Sequence, residues 1–293
     1  MDPPPPLTVL RSHQSSVTSV CFQNNKLVST SRSYELFVWN LDTRRVETVI
    51  HQHTAGDDGL LRACASSDFI AANSRLGTIH VFNYDGKVLH ECKTGMSAGF
   101  AGCRMRGTDI IFTDAFNGKI CIYDMNSSNW FPLITSAGHG MIMDISLYQD
   151  YIAVCCEDST IFMFDQRNPI DPVWSQSLGR TDPCISVSAI SENRCLVGGS
   201  EKSIYDVSPG KFDSFYEMPN AGVDDIAIRE DGRIWLFSGW DGRVRLFDSK
   251  KRAPLAVLKH HKGGVHTVAY AENHLFASAG EDRGIAIWSL YKK

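Results

Sequence analysis

Gly284-Ile285-Ala286-Ile287-Trp288-Ser289 closes on an aliphatic residue, an aromatic and a small polar residue, and that ending comes round seven times. Further back, the same form stands at Leu246-Phe247-Asp248, Ile204-Tyr205-Asp206, Met163-Phe164-Asp165, Ile122-Tyr123-Asp124, Val81-Phe82-Asn83 and Val38-Trp39-Asn40. From the first copy onward the aromatics are 43, 41, 41, 41, 42 and 41 residues apart. A period of about 40–45 residues with this strand ending is the signature of a β-propeller of four-stranded blades. The spacing predicts an all-β, seven-bladed ring, a docking platform whose chemistry is contact.

The residues around each copy have strand and turn character. Val265-His266-Thr267-Val268-Ala269-Tyr270 and Leu275-Phe276-Ala277-Ser278-Ala279 are short alternating runs, and Glu281-Asp282-Arg283-Gly284 is a turn into the third strand. Asn117-Gly118 and Asp241-Gly242 supply the positive φ that a tight hairpin needs. No stretch has helical periodicity. The blades are expected at 14–50, 59–92, 99–135, 139–178, 182–217, 221–259 and 263–291, the last completed by 6–11, as one propeller over 1–293.

The chain's two ends explain that last assignment. Pro6-Leu7-Thr8-Val9-Leu10-Arg11-Ser12-His13 repeats the form of Pro254-Leu255-Ala256-Val257-Leu258-Lys259-His260-His261, an outer strand followed by a loop into the next blade. The seventh blade lacks an outer strand after Trp288, so the N-terminal copy is expected to supply it and close the ring, which also covers an exposed edge.

Composition narrows the function. The 293 residues are 43% hydrophobic with a net charge of −4, which supports a full core and points away from nucleic acid and anionic membrane. No run of about 18 apolar residues offers a membrane span. The polar, Pro-rich start does not read as a signal peptide. Nine cysteines without a CxxC pair, mostly inside strand-like runs, read as reduced core residues rather than disulfides or a zinc site. The expectation is an intracellular protein, cytoplasmic or nuclear, with no cofactor and no metal.

These features resemble the WD-repeat family over about residues 6–291. The resemblance implies a buried His–Ser/Thr–Asp–Trp relay, and His261, Ser278, Asp282 and Trp288 match it completely. Blade 1 keeps His13, Ser29 and Trp39 with Ser33 at the Asp position, and blade 4 keeps His139 and Asp158 with Phe164 for Trp. Gly198-Gly199-Ser200-Glu201-Lys202 predicts a shortened or distorted hairpin in blade 5. Within the family, Asn220-Ala221-Gly222, Gly239-Trp240-Asp241-Gly242-Arg243-Val244-Arg245-Leu246-Phe247, Val265-His266-Thr267-Val268-Ala269 and Ile287-Trp288-Ser289-Leu290-Tyr291 resemble the guanine nucleotide-binding protein β-subunit-like protein 1 family, related to the ASTRA-associated WD protein. That resemblance implies work with the Tel–Tti co-chaperone complex in maturing phosphatidylinositol-3-kinase-like kinases. It does not imply G-protein signalling, because the Pro-rich start resists the helix by which a Gβ subunit pairs with Gγ, and no P-loop is present.

The family pattern places the residue before the Asp position of each second-to-third-strand turn on the narrower, top face. Those residues are Arg32, Arg75, Phe116, Glu157, Trp240 and Glu281. Trp, Arg and Phe are favoured at the energetic centres of interfaces, and Trp240 leads because a large apolar side chain in a surface turn has little structural reason to be there. The competing reading is a rim residue folded over its neighbour. Two rivals to a protein-docking scaffold stand beside it. Phe164-Asp165-Gln166-Arg167 is similar to the box by which some WD proteins dock on a cullin-ligase adaptor, and a few WD propellers resemble esterases. Against the second, the His–Ser–Asp set sits at structural positions, whereas a nucleophile needs an exposed serine beside a base. Trp130-Phe131-Pro132, in a predicted outer strand, reads as packing under a loop.

Overall fold

The computed structural model describes residues 4–51, 59–93, 102–114, 117–135, 138–271 and 274–290. Among them every element is a strand, and the strands form seven four-stranded antiparallel sheets. Blade 1 runs outward from Val17–Gln23 at the channel through Lys26–Ser31 and Glu35–Asn40 to Arg45–His51 at the rim. The innermost strands of successive blades touch in ring order and the seventh touches the first.

Closure is as expected. Thr8–Arg11 is the rim strand of blade 7, with Thr8 opposite Ile287 and Leu10 opposite Ile285. Leu10 is buried in the seam with blade 1, against Val17, Trp39 and Ala277. Burying one leucine contributes about 1.5–3 kcal/mol, so this short strand is a substantial clasp.

The core lies in the seams between sheets. Val28, Leu36 and Val38 of blade 1 meet Leu60, Ile70 and Phe82 of blade 2, and Leu236 and Leu246 of blade 6 meet Phe276 and Trp288 of blade 7. The third-strand aromatics are therefore packing groups. All nine cysteines are free, and eight are buried.

The turn between second and third strands ends in the same backbone conformation in six blades. Its last residue is left-handed at Tyr34, Gly77, Gly118, Ser159, Gly242 and Arg283, with φ between 59° and 78°. Blade 5 departs, but by distortion without shortening. Its turn has three residues, 200–202, as in blades 1, 2, 4 and 7, yet Lys202 is not left-handed and the ladder stops at Val197 opposite Tyr205. Register also corrects the aromatic position. Cys195 faces Val207 just as Phe276 faces Trp288, so Val207 holds the tryptophan's place and Tyr205 sits two residues early on the same face. Tyr205 is instead covered by the guanidinium of Arg180, 5.1 Å from the ring.

One inter-blade device recurs at the channel. In five blades a bulge skips one residue of the innermost strand: Thr18, Leu61, Met143, Ile185 or His266. A bulge re-aims the next side chain, and that residue meets a neighbouring blade. Ser19 Oγ accepts the Ala63 N–H at 3.2 Å, Asp144 the Val187 N–H at 3.3 Å and Thr267 Oγ1 the Val20 N–H at 3.2 Å. Ser186 donates to the Val223 carbonyl, and Asp225, at the same place in blade 6, accepts the Val268 N–H at 3.0 Å. In blade 2 the position is Arg62, which can only donate.

Candidate functional site

The relay of blade 7 is formed. His261 Nδ1 lies 3.0 Å from Asp282, His261 Nε2 lies 2.8 Å from Ser278 Oγ, and Trp288 Nε1 donates to Ser278 Oγ at 2.9 Å. A carboxylate can only accept, so Nδ1 carries the proton; Ser278 then donates to Nε2 while accepting from the indole. The Ser278 hydroxyl is buried and committed on both sides, which removes it as a nucleophile. Burial pushes the Asp282 carboxyl up, but the bonds from His261 and the N–H groups of Gly284 and Lys262 prevail and bring it down to about 2.

Blade 1 corrects the sequence reading. The acid absent from position 33 is supplied by Glu35, two residues on, at the start of the third strand. His13 Nδ1 is 3.0 Å from Glu35, His13 Nε2 is 2.7 Å from Ser29 Oγ, and Trp39 Nε1 donates to the same hydroxyl at 2.8 Å. Glu35 also accepts from Ser31 at 2.7 Å and from the Gln14 N–H. The longer side chain reaches back to where an aspartate of the turn would sit. In blade 4, His139 meets Asp158 at 2.8 Å, and Val154 stands where the serine would be.

Of the predicted top-face residues, Arg32, Arg75, Glu157, Trp240 and Glu281 are exposed, each first or second in its turn; Phe116 lies outside the described residues. By register, the blade-5 member is Ser200. The two glutamates also do local work: Glu157 accepts the Met141 N–H at 3.2 Å and Glu281 the Gly264 N–H at 3.0 Å. Trp240 is 44% exposed. Its indole lies across Gly222, whose φ of +100° and lack of a Cβ leave room for the ring. Nε1 donates to Asp224 Oδ1 at 2.5 Å.

Asp224 links Trp240 to the channel. Its other oxygen is 2.7 Å from His266 Nδ1, and its carbonyl receives Arg62 Nη2 at 3.4 Å. Arg62 Nη1 lies 3.0 Å from Asp225. Blades 2 and 6 are not neighbours, so this ion pair spans the channel. Beside it, Arg104 donates to Asp144 at 3.2 Å. Burial pushes the Asp144 carboxyl up, Arg104 and Arg62 pull it back, and the net shift is upward. Burial would lower the Arg62 guanidinium, but Asp225, Asp144 and Asp224 raise it above its ordinary value. These four channel and mouth residues, Arg62, Asp224, Asp225 and His266, were not singled out from sequence. A signal was there: Leu60-Leu61-Arg62-Ala63-Cys64 buries a charge in an apolar run, and Asp224-Asp225 is an acidic doublet opening a strand.

The Arg167 side chain is held by Asp165 of its own turn and by Asp150 at 3.5 Å. Its guanidinium makes two hydrogen bonds to Asp165, 2.8 and 2.6 Å, and lies over Tyr151. Trp130 and Phe131 of the outer strand of blade 3 are 38% and 47% exposed, which corrects the expectation that they are packed away. Among the described residues no group of three or more His, Cys, Asp or Glu is placed to hold a metal ion, and no helix is long and apolar enough to cross a membrane.

Seven four-stranded sheets closed into a ring, seam aromatics and His–Ser–acid–Trp relays make this a WD40-repeat propeller. The family described as WD domain, G-beta repeat matches residues 4–40 and 252–289, the two stretches that meet at ring closure. The chain is homologous to guanine nucleotide-binding protein subunit beta-like protein 1 of Mus musculus, 26% identical over 322 aligned residues that cover 99% of this chain and 97% of that one. ASTRA-associated protein 1 of Schizosaccharomyces pombe is 38% identical over 78 residues, covering 26% of this chain and 21% of its own. The protein of the same name from Verticillium alfalfae is 23% identical over 328 residues, covering 92% and 79%. Relatedness to these proteins supports a scaffold or adaptor role.

Proposed function

We propose that this protein is a non-enzymatic adaptor that docks partner proteins on the top face, centred on Trp240, and helps a co-chaperone mature phosphatidylinositol-3-kinase-like kinases. The observation that carries the docking site is Trp240 itself: a large aromatic, 44% exposed, held in one orientation by Asp224 and Gly222. An anchor already fixed in the free protein loses little side-chain entropy on binding. Arg32, Arg75, Glu157 and Glu281 surround the channel mouth as its polar rim. The pathway reading is supported by the resemblance to the β-subunit-like protein 1 family and by relatives named for association with ASTRA.

The test is quantitative affinity purification of the wild-type protein against Trp240→Ala, with folding matched by thermal melt. Co-chaperone or kinase proteins lost from the variant alone support both the pathway and the site. Equal recovery from both removes the site. If those proteins are never recovered, the pathway reading falls.

A further inference from the structure

Three blades converge on one residue at the channel mouth. Asp224 lies two residues before the innermost strand of blade 6, Ile226–Ile228. Its Oδ1 accepts the Trp240 indole N–H at 2.5 Å, and its Oδ2 accepts from His266 Nδ1 at 2.7 Å. His266 belongs to the innermost strand of blade 7, at the residue the bulge there skips. Arg62 comes across from blade 2, with Nη1 3.0 Å from the Asp225 carboxylate and Nη2 donating to the Asp224 carbonyl at 3.4 Å. One planar guanidinium thus grips two consecutive residues, the side chain of one and the backbone of the other. The Asp225 N–H is tied in turn to Ser238 Oγ at 2.7 Å. An indole has one donor and no acceptor, so its single hydrogen bond decides which way the ring nitrogen faces. Gly222 makes room for the ring; the Asp224 carboxylate selects its direction. The Arg62 side chain is 15% exposed, so its route to a docked partner runs through Asp224.

We infer that Arg62 of blade 2 and His266 of blade 7 are positioning residues for the docking tryptophan: acting through Asp224, they fix the direction in which blade 6 presents Trp240. This rests on the top-face docking reading and adds how its anchor is set. The anchor is then a property of three blades, and it is complete only while the ring is spanned across its channel. The coupling runs both ways. A partner that binds Trp240 in this orientation tightens the hold of Arg62 and His266 on residues 224 and 225 by the same factor.

The experiment follows the six tryptophan indole N–H signals of the whole protein by NMR, with Trp240 assigned from Trp240→Phe. Arg62→Gln removes both the charge and the fork, Arg62→Lys keeps the charge alone, and His266→Phe keeps a ring without a donor. In Arg62→Gln and His266→Phe the Trp240 signal should move toward that of a water-exposed indole. Its exchange with water should quicken roughly three-fold or more, the weight of one hydrogen bond. Arg62→Lys should move it less. The signals of Trp39, Trp130, Trp174, Trp235 and Trp288 should hold still. A Trp240 signal unmoved in either folded variant, or all six signals moving together, overturns the inference. If Arg62→Gln does not fold, Arg62→Lys takes its place under the same criteria. The docking reading is judged separately, since this readout needs no partner: if Trp240→Ala keeps its partners in affinity purification while the Trp240 signal moves as expected, docking falls and the positioning stands.

Discussion

Arg62 on blade 2 and Asp225 on blade 6 form an ion pair across the channel at 3.0 Å, and Asp225 also binds the backbone of blade 7 through the Val268 N–H. One carboxylate thus joins a cross-channel strut to a seam. Arg62→Met strands a largely buried carboxylate and is expected to cost about 3–5 kcal/mol in urea unfolding. Arg62→Met combined with Asp225→Asn should cost less than the sum of the two singles, because each single strands one charge of the pair and the double strands neither. Additive losses would show that the pair does not act as a unit.

Glu35, rather than residue 33, completes the blade 1 relay. Glu35→Ala leaves His13, Ser31 and the Gln14 N–H short of an acceptor, a loss of about 1–3 kcal/mol. Ser33→Ala, at an exposed position, should stay within about 0.5 kcal/mol. Chemical denaturation of the two variants compares them directly, and the reverse ranking would return the acid role to the turn.

Asp282 sets an acid limb to stability. Its folded carboxyl is depressed from 3.8 to about 2. The stabilisation is therefore fully present above the unfolded value of 3.8 and is lost as pH falls from about 4 toward 2. Asp282→Asn should be less stable at neutral pH and should lose part of that acid dependence. Melting curves between pH 7 and 2 that stay parallel for the two proteins would refute this.

Gly222 is the floor beneath Trp240. A Cβ there runs into the indole, at a backbone φ of +100° that L-residues rarely adopt. Gly222→Ala is expected to displace the ring and reduce partner recovery as Trp240→Ala does, with a fall in stability that Trp240→Ala lacks. Full partner recovery from a folded Gly222→Ala protein would mean that the fixed ring orientation is not needed.

The clasp is separable from the rest of the ring. Removing residues 1–11 deletes the rim strand of blade 7 and opens the seam that Leu10 fills. Leu10→Ala alone should cost about 2–5 kcal/mol, and the deletion more. An unchanged melting temperature after the deletion would disprove closure as a source of stability.

What the chain carries in local pattern depends on the range of the interaction. Trp39, Phe82, Tyr123, Phe164, Phe247 and Trp288 announce their seams because each strand's ending is a local pattern repeated at one period. Ring closure was legible because two outer strands share one form. Blade 5 deceived for the same reason: Ile204-Tyr205-Asp206 copies the local pattern, while pairing with Cys195 puts Val207 in the aromatic's place. Register belongs to two strands, and a tripeptide records only one.

The sequence by itself determined the seven blades, their all-strand content, the closing strand and the turn that carries Trp240, since each is written in spacing and residue type along the chain. Only the tertiary structure decided that Glu35 replaces the missing acid of blade 1. Likewise, only the fold shows that Asp224 ties Trp240 to His266 and that Arg62 crosses to Asp225. Those contacts join residues up to 163 positions apart. Their distance is set by how the blades circle a shared channel, and no local pattern encodes it.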